Sequence, residues 1–276
     1  MTDRRTSDEP AVPSPPEWWR SFFDLTYASG DLIPSTDADR DRIAALAPHI
    51  AALLRVGPGS LVFDQCSGMG RMSHALGRLG VRTIGVELSP EYVAAATRTA
   101  ADEGLPCRFM QGDAFEVVAP EPCDAGLNWF TSFGYTDDDR RNAQMLDRMR
   151  ESLRPGARFL LEILSLPRLF ATFRPCAFRR VSNPQARPPL PELVILDEPR
   201  PDFRRGMIES TWTYLWPDGR RDVRRVRTRM YMPHDLVRLC EGAGLRVVDL
   251  LGDPTGRPFD RESPRLLLLA ERPATG

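Results

Sequence analysis

From Ser60 onward the chain alternates short apolar runs with amphipathic stretches. Leu61–Asp64 is the first apolar run, and behind it Met72, Ala75, Leu76 and Leu79 form one stripe at helical spacing. Further strands are predicted at Val81–Val86, Arg108–Met110, Ala125–Trp129 and Phe159–Leu164. Between them, Ser89-Pro90 reads as an N-cap and first helical residue, with Gly104 as the stop. Asp137-Asp138-Asp139 puts negative charge where a helix carrying Met145, Leu146, Met149 and Leu153 begins, as the macrodipole favours. A helix around Leu236–Cys240 and strands at Leu245–Leu251 and Leu266–Ala270 close the pattern. Strands alternating with helices imply a mostly parallel sheet covered on both faces.

Two regions break the alternation. Residues 1–16 are polar and proline-rich and are expected to be disordered. Beyond them Trp18, Trp19, Phe22, Phe23 and Tyr27 recur at near-helical spacing, and Ile43, Leu46, Ile50 and Leu53 mark a second helix over Asp39–Leu54. The other exception is 165–231, Arg- and Pro-rich at first and then alternating around the turn Pro217-Asp218-Gly219. Ile208–Trp216 and Val223–Tyr231 flank that turn as strand-like runs, so a small inserted antiparallel sheet is expected. The expected divisions are therefore 1–16, a helical cover and core over 17–164, the insertion over 165–231, and a return to the core over 232–276.

The chemistry concentrates at Val62-Phe63-Asp64-Gln65-Cys66-Ser67-Gly68-Met69-Gly70. A strand feeding a Gly-rich turn and a helix brings backbone N–H groups and a helix N-terminus against a ligand. Glu87, about 20 residues on, suits the two hydroxyls of a ribose. Together these point to a nucleoside-containing cofactor. Asp64 would repel a pyrophosphate but would welcome a cofactor ending in an ammonium group, as S-adenosylmethionine does. Ser73 also stands where a dinucleotide fingerprint wants Gly or Ala.

On these residues the chain resembles a class I S-adenosylmethionine-dependent methyltransferase of the bacterial small-molecule type. The resemblance runs from about Leu61 to the C-terminus apart from the insertion. It implies a doubly wound, mostly parallel seven-stranded Rossmann-like sheet with N-terminal helices and an antiparallel β lid over the acceptor. Asp64 to Gly70 is similar to the acidic first motif, with Cys66 where a glycine is usual. A Cβ there costs energy at any positive φ. Gly112-Asp113-Ala114 is similar to the motif that meets adenine, and Cys123–Phe130 to the fourth strand. Cofactor contacts are thereby implied for Tyr27, Asp64, Gln65, Cys66, Gly68, Gly70, Glu87, Leu88, Asp113, Ala114, Asn128 and Phe130.

Composition narrows the chemistry further. The net charge is −1 over 276 residues, which gives no overall pull toward nucleic acid or anionic membranes. There is no lysine at all, which excludes a P-loop, a pyridoxal Schiff base and a Ser-x-x-Lys nucleophile. Five scattered cysteines without a Cys-x-x-Cys pair read as reduced thiols rather than disulfides or metal ligands. No apolar run is long enough to cross a membrane, and the N-terminus lacks a signal-peptide core, so a cytoplasmic location is expected.

For catalysis, His234 is the candidate base, because a helix N-terminus lowers an imidazole's pKa. Tyr135 is the candidate for orienting an acceptor or closing over the cofactor. His74 reads as solvated, His49 shows no partner, and Glu162 faces either side of its strand. No Pro-Pro follows Asn128, unlike enzymes that methylate exocyclic amines of nucleic-acid bases, and the Arg-rich 219–229 reads as a solvated outer face. The expectation is methylation of O, N or C on a small molecule, in bacterial secondary metabolism, with no metal. The partners expected are that acceptor, no nucleic acid, no membrane, and a second copy if the protein dimerises. A cyclisation on the same cofactor and a non-catalytic cofactor-binding protein are the alternatives.

Overall fold

The computed structural model describes residues 17–24, 37–183 and 190–274. The expected disordered N-terminus and Tyr27 lie outside the described residues. The elements in chain order begin with α1 (Trp19–Phe22), α2 (Asp37–Leu54), β1 (Leu61–Gln65), α3 (Arg71–Arg78), β2 (Arg82–Glu87) and α4 (Pro90–Asp102). They continue with β3 (Cys107–Gln111), β4 (Cys123–Asn128), α5 (Asp139–Ser152), β5 (Leu153–Leu164) and α6 (Leu166–Ala171). The insertion supplies β6 (Ala177–Asn183), β7 (Leu190–Asp202), β8 (Met207–Leu215) and β9 (Arg221–Arg229). α7 (Pro233–Gly242), β10 (Arg246–Leu251) and β11 (Arg265–Glu271) return to the core.

The large sheet has seven strands in the order β10-β11-β5-β4-β1-β2-β3. β1 lies parallel to both β2 and β4, while β11 runs antiparallel between β5 and β10. Every residue of β1 is buried, as suits a central strand that opens on three apolar residues; Asp64 and Gln65 are buried polar groups at its end. Its pleat sends successive side chains into opposite layers. Leu61 and Phe63 join a core with Met145, Leu146 and Met149 of α5, and Val62 joins one with Ile50 of α2 and Leu76 of α3. The turns follow the expected capping: Ser89 Oγ accepts from the Tyr92 N–H, and Asp138 accepts from the Arg140 N–H at the head of α5. Among the described residues of the aromatic N-terminal segment, α1 is a single helical turn ending at Phe22.

The insertion is a separate four-stranded antiparallel sheet, ordered β6-β7-β8-β9. The hairpin around Pro217-Asp218-Gly219 is present, but β6 and β7 add two strands where Arg- and Pro-rich sequence gave no period to read. Val181, Leu193, Ile195 and Tyr214 form its own small core. The sheet is fastened along its edge strand β9. Trp18 Nε1 donates to the Arg227 carbonyl at 3.0 Å, and Arg229 reaches Asp139 with Nε–Oδ1 at 3.0 Å and Nη2–Oδ2 at 2.8 Å. Tyr231 belongs to the main core instead, donating to Asp139 and accepting from Asn142 Nδ2, each at 2.8 Å. Burial works against the Asp139 charge, but the bonds from Arg229 and Tyr231 outweigh it and keep that carboxyl below its ordinary value.

Candidate active site

The turn after β1 is built on left-handed backbone, with φ of +61° at Cys66, +56° at Gly68 and +75° at Gly70. At Gly70 a Cβ would stand 2.6 Å from Phe109 Cζ, so both conformation and space demand glycine. Cys66 is the exception, an L-residue held where glycine is at ease. Burial, then Glu87, Asp64 and Asp113, push its thiol well above the ordinary value, so it stays neutral. The turn is tied to β2 by the Ser67 N–H donating to the Val86 carbonyl at 2.9 Å, and by the Gly68 N–H donating to Glu87 Oε2 at 3.0 Å. Glu87 Oε1 accepts from the Ser89 N–H at 2.8 Å. Each carboxylate oxygen keeps a further lone pair, and burial raises the Glu87 pKa against the pull of these backbone donors.

Three of the expected cofactor residues form the layer beneath. Asp64 is buried and accepts from Ser73 Oγ at 2.6 Å. Desolvation, opposed by the Ser73 bond and reinforced by Glu87, pushes its pKa up to about 7. Gln65 donates to the Met145 carbonyl at 3.0 Å and accepts from Asn128 Nδ2 at 3.2 Å. Asn128 Oδ1 is buried without a partner among the described residues. These side chains brace the turn and do not line the cavity above it, and neither does Gly70.

The cavity, about 610 Å³, opens at the C-terminal ends of the parallel strands. Cys66, Gly68, Glu87, Leu88, Asp113, Ala114, Phe130 and Tyr135 line it, all expected from the sequence. Asp113 Oδ1 accepts from the Phe115 N–H at 3.0 Å, and Oδ2 accepts from Arg20 Nη2 of α1 at 2.8 Å. Trp19 of α1 also lines the cavity, its Nε1 buried without a partner among the described residues. A nucleoside bound here would have Glu87 within reach of its ribose, Asp113 with adjacent backbone for its base, and an aromatic wall. Those residues fit S-adenosylmethionine.

The rest of the lining comes from the ends of β4 and β5, the start of β11 and the inserted sheet. Phe130 and Thr131 both take positive φ, +62° and +57°. Glu162 of β5, buried, accepts the Thr131 N–H at 3.0 Å and pairs with Arg265 Nε at 3.1 Å, while Arg265 Nη1 donates to Thr131 Oγ1 at 3.0 Å. This bridge fastens the strained loop to the sheet edge. Tyr135 stacks on Phe23 at 5.8 Å between centroids and carries the Trp18 indole on its other contacts. Arg179 and Trp212 reach in from the inserted sheet.

Sequence reasoning missed Trp19, Arg179, Trp212 and Arg265. Arg265 was discoverable, since the first residue of an antiparallel strand beside β5 sits at the same edge as the ends of the parallel ones. Two histidines are placed otherwise than expected. His234 is exposed in the first turn of α7, 3.4 Å from Asp235, and does not line the cavity. His74 is buried rather than solvated, with Nε2 2.9 Å from the Ala96 carbonyl, and burial lowers its pKa. Among the described residues no His, Cys, Asp and Glu side chains gather as a metal site, and no helix is long and apolar enough to cross a membrane.

Residues 62–156 match the family described as a methyltransferase domain. That segment is a methyltransferase domain. It contains the turn, Glu87, Asp113 and the loop after β4. An uncharacterised protein of Mycobacterium tuberculosis is 31% identical over 72 residues, and the match spans 26% of this chain and 26% of that protein. The chain thus covers about a quarter of the length of such relatives. The structure of the CcbJ methyltransferase from Streptomyces caelestis superposes with a TM-score of 0.73 at 21% identity, covering 91% of this chain and 97% of that one. The sugar N-methyltransferase KedS8 from Streptoalloteichus gives 0.65 at 19% identity, covering 99% of both. The methyltransferase fold therefore extends through the inserted sheet.

Proposed function

We propose that this protein is an S-adenosylmethionine-dependent methyltransferase whose acceptor is a small molecule held under the inserted sheet. One observation carries the reading: Glu87 and the left-handed turn line the same cavity as Arg179 and Trp212 of the insertion. Cofactor and acceptor then share one enclosed space. The sulfonium supplies an already activated methyl carbon, so the chain's task is to hold a nucleophile in line with it and to exclude water. Among the described residues the lining contains no histidine, and its carboxylates, Glu87 and Asp113, belong to the nucleoside end. Catalysis by alignment follows, with Tyr135 orienting the acceptor. The name of KedS8 as a sugar N-methyltransferase supports an acceptor of small-molecule size.

Incubation with methyl-labelled S-adenosylmethionine and a panel of amino sugars, phenols and aromatic acids tests this. Label should appear in one acceptor with S-adenosylhomocysteine as co-product. A product formed without label would assign the cavity to a cyclisation on the same cofactor. Absence of calorimetric binding of S-adenosylmethionine would remove the cofactor reading.

A further inference from the structure

Arg179 is the cavity group whose charge is least answered by the protein. It lies on β6, and the register places it directly across from Ile195 and, one strand further, Tyr214. All three therefore share the face turned toward the core. Its Nε and Nη2 are buried and have no hydrogen-bond partner among the described residues. The guanidinium rests over the Trp212 ring, 5.6 Å from its centroid, and both side chains line the cavity. Asp197 shares this face one residue pair away and feels the Arg179 charge, but it makes no ion pair with it. The charges nearest the sheet edge are also cationic: Arg42, Arg71 and Arg265 line the same space.

Burying guanidinium N–H groups without acceptors is costly, and the cost disappears when an anion takes them. The planar fork matches two oxygens of one carboxylate or phosphate, and a ring stacked behind it fixes its plane. We propose that Arg179 anchors a negatively charged oxyacid group, a carboxylate or a phosphate, on the acceptor. This rests on the methyltransferase reading for the word acceptor, but the anion site stands on its own residues.

The test uses the protein saturated with S-adenosylhomocysteine and three probes, benzoate, phenyl phosphate and uncharged benzamide, followed by Trp fluorescence and calorimetry. At least one anion should bind about tenfold or more tightly than benzamide and should lose that advantage in Arg179→Met. Preference between benzoate and phenyl phosphate distinguishes the two oxyacids. Arg179→Lys keeps charge without the fork and should fall between wild type and Arg179→Met. S-adenosylhomocysteine should bind all three proteins alike. Ligand-free Arg179→Met should melt no lower than wild type, because it removes buried N–H groups that lack acceptors and loses only the unpaired attraction to Asp197. Equal binding of benzoate, phenyl phosphate and benzamide to wild type would overturn the proposal. So would a variant that retains the anion preference, or one that melts well below wild type and so marks a structural ion pair. Failure of S-adenosylhomocysteine to bind anywhere would instead sink the cofactor reading and leave the anion result standing.

Discussion

Arg224 of the inserted sheet and Asp24 of the N-terminal arm meet through two parallel hydrogen bonds, Nη1–Oδ1 at 2.9 Å and Nη2–Oδ2 at 3.0 Å. The same guanidinium donates to the Phe22 carbonyl at 3.1 Å and lies over the Tyr214 ring at 5.2 Å. Arm and insertion are thereby clasped over the cavity from opposite ends of the chain. Asp24→Asn and Arg224→Gln should show a coupling of about 1 kcal/mol in a double-mutant cycle of denaturant melts. Arg224→Gln alone should cost more than Asp24→Asn, since it also loses the ring contacts. Strict additivity would mean that the clasp is not formed in solution.

Glu87→Gln keeps an oxygen for the backbone but loses the charge that ribose hydroxyls meet. Calorimetry should show cofactor affinity falling at least about tenfold, with a modest drop in melting because the amide nitrogen leaves one of the Gly68 and Ser89 N–H donors without an acceptor. Glu87→Ala should do both kinds of damage. It strands the Gly68 and Ser89 N–H donors as well, at a cost of about 1–3 kcal/mol. An Ala variant as stable as wild type would show that water replaces the carboxylate in the turn.

Asp64 supplies a pH signature. Its folded pKa of about 7 lies above the unfolded value near 3.8, so the folded state binds the proton more tightly between those values. Stability therefore falls as pH rises from about 4 to about 7 and is level beyond, by at most about 1.4 kcal/mol per pH unit. Glu87 and Glu162 are also raised and act in the same direction, so the difference between wild type and Asp64→Asn isolates this group. That difference should favour wild type at pH 4 relative to pH 7.5. A difference independent of pH would place the Asp64 proton elsewhere.

The left-handed backbone at Cys66 inverts the usual ranking of alanine and glycine. Cys66→Gly should be more stable than Cys66→Ala by about 1 kcal/mol, whereas at an ordinary position glycine is the weaker residue. Urea melts of the two variants decide it. Equal stability would mean that the turn relaxes out of positive φ when the thiol is gone.

His234→Ala should turn over like wild type, because the ring is solvent-exposed and outside the cavity lining. A loss of about 100-fold in kcat with unchanged cofactor affinity would restore it as a general base.

The cofactor half was legible because its determinants are local. The strand, the turn and Glu87 fall within a few dozen residues, and each leaves a spacing that a linear reading detects. Asp64 and Asn128 were read as contacts although they brace from below. The motif fixes their identity, but only the pleat says that Asp64 faces α3 and Gln65 faces α5. His234 misled because a helix start is visible in sequence while the direction it faces is not. The acceptor half was barely legible. Arg179 and Trp212 meet through strand pairings across the insertion, and β7 carries Pro199 and Pro201, which blur any period of two.

The insertion leaves the large sheet after β5 and returns at α7, and it brings its own small hydrophobic core. Under the proposed function, mutations on its inner face would alter acceptor choice without passing through the strand order beneath the Gly-rich turn. Selection can revise substrate choice in one cassette while the donor chemistry is inherited intact. That freedom is bounded by Arg224 and Arg229, whose grips on the arm and on α5 hold the cassette in place.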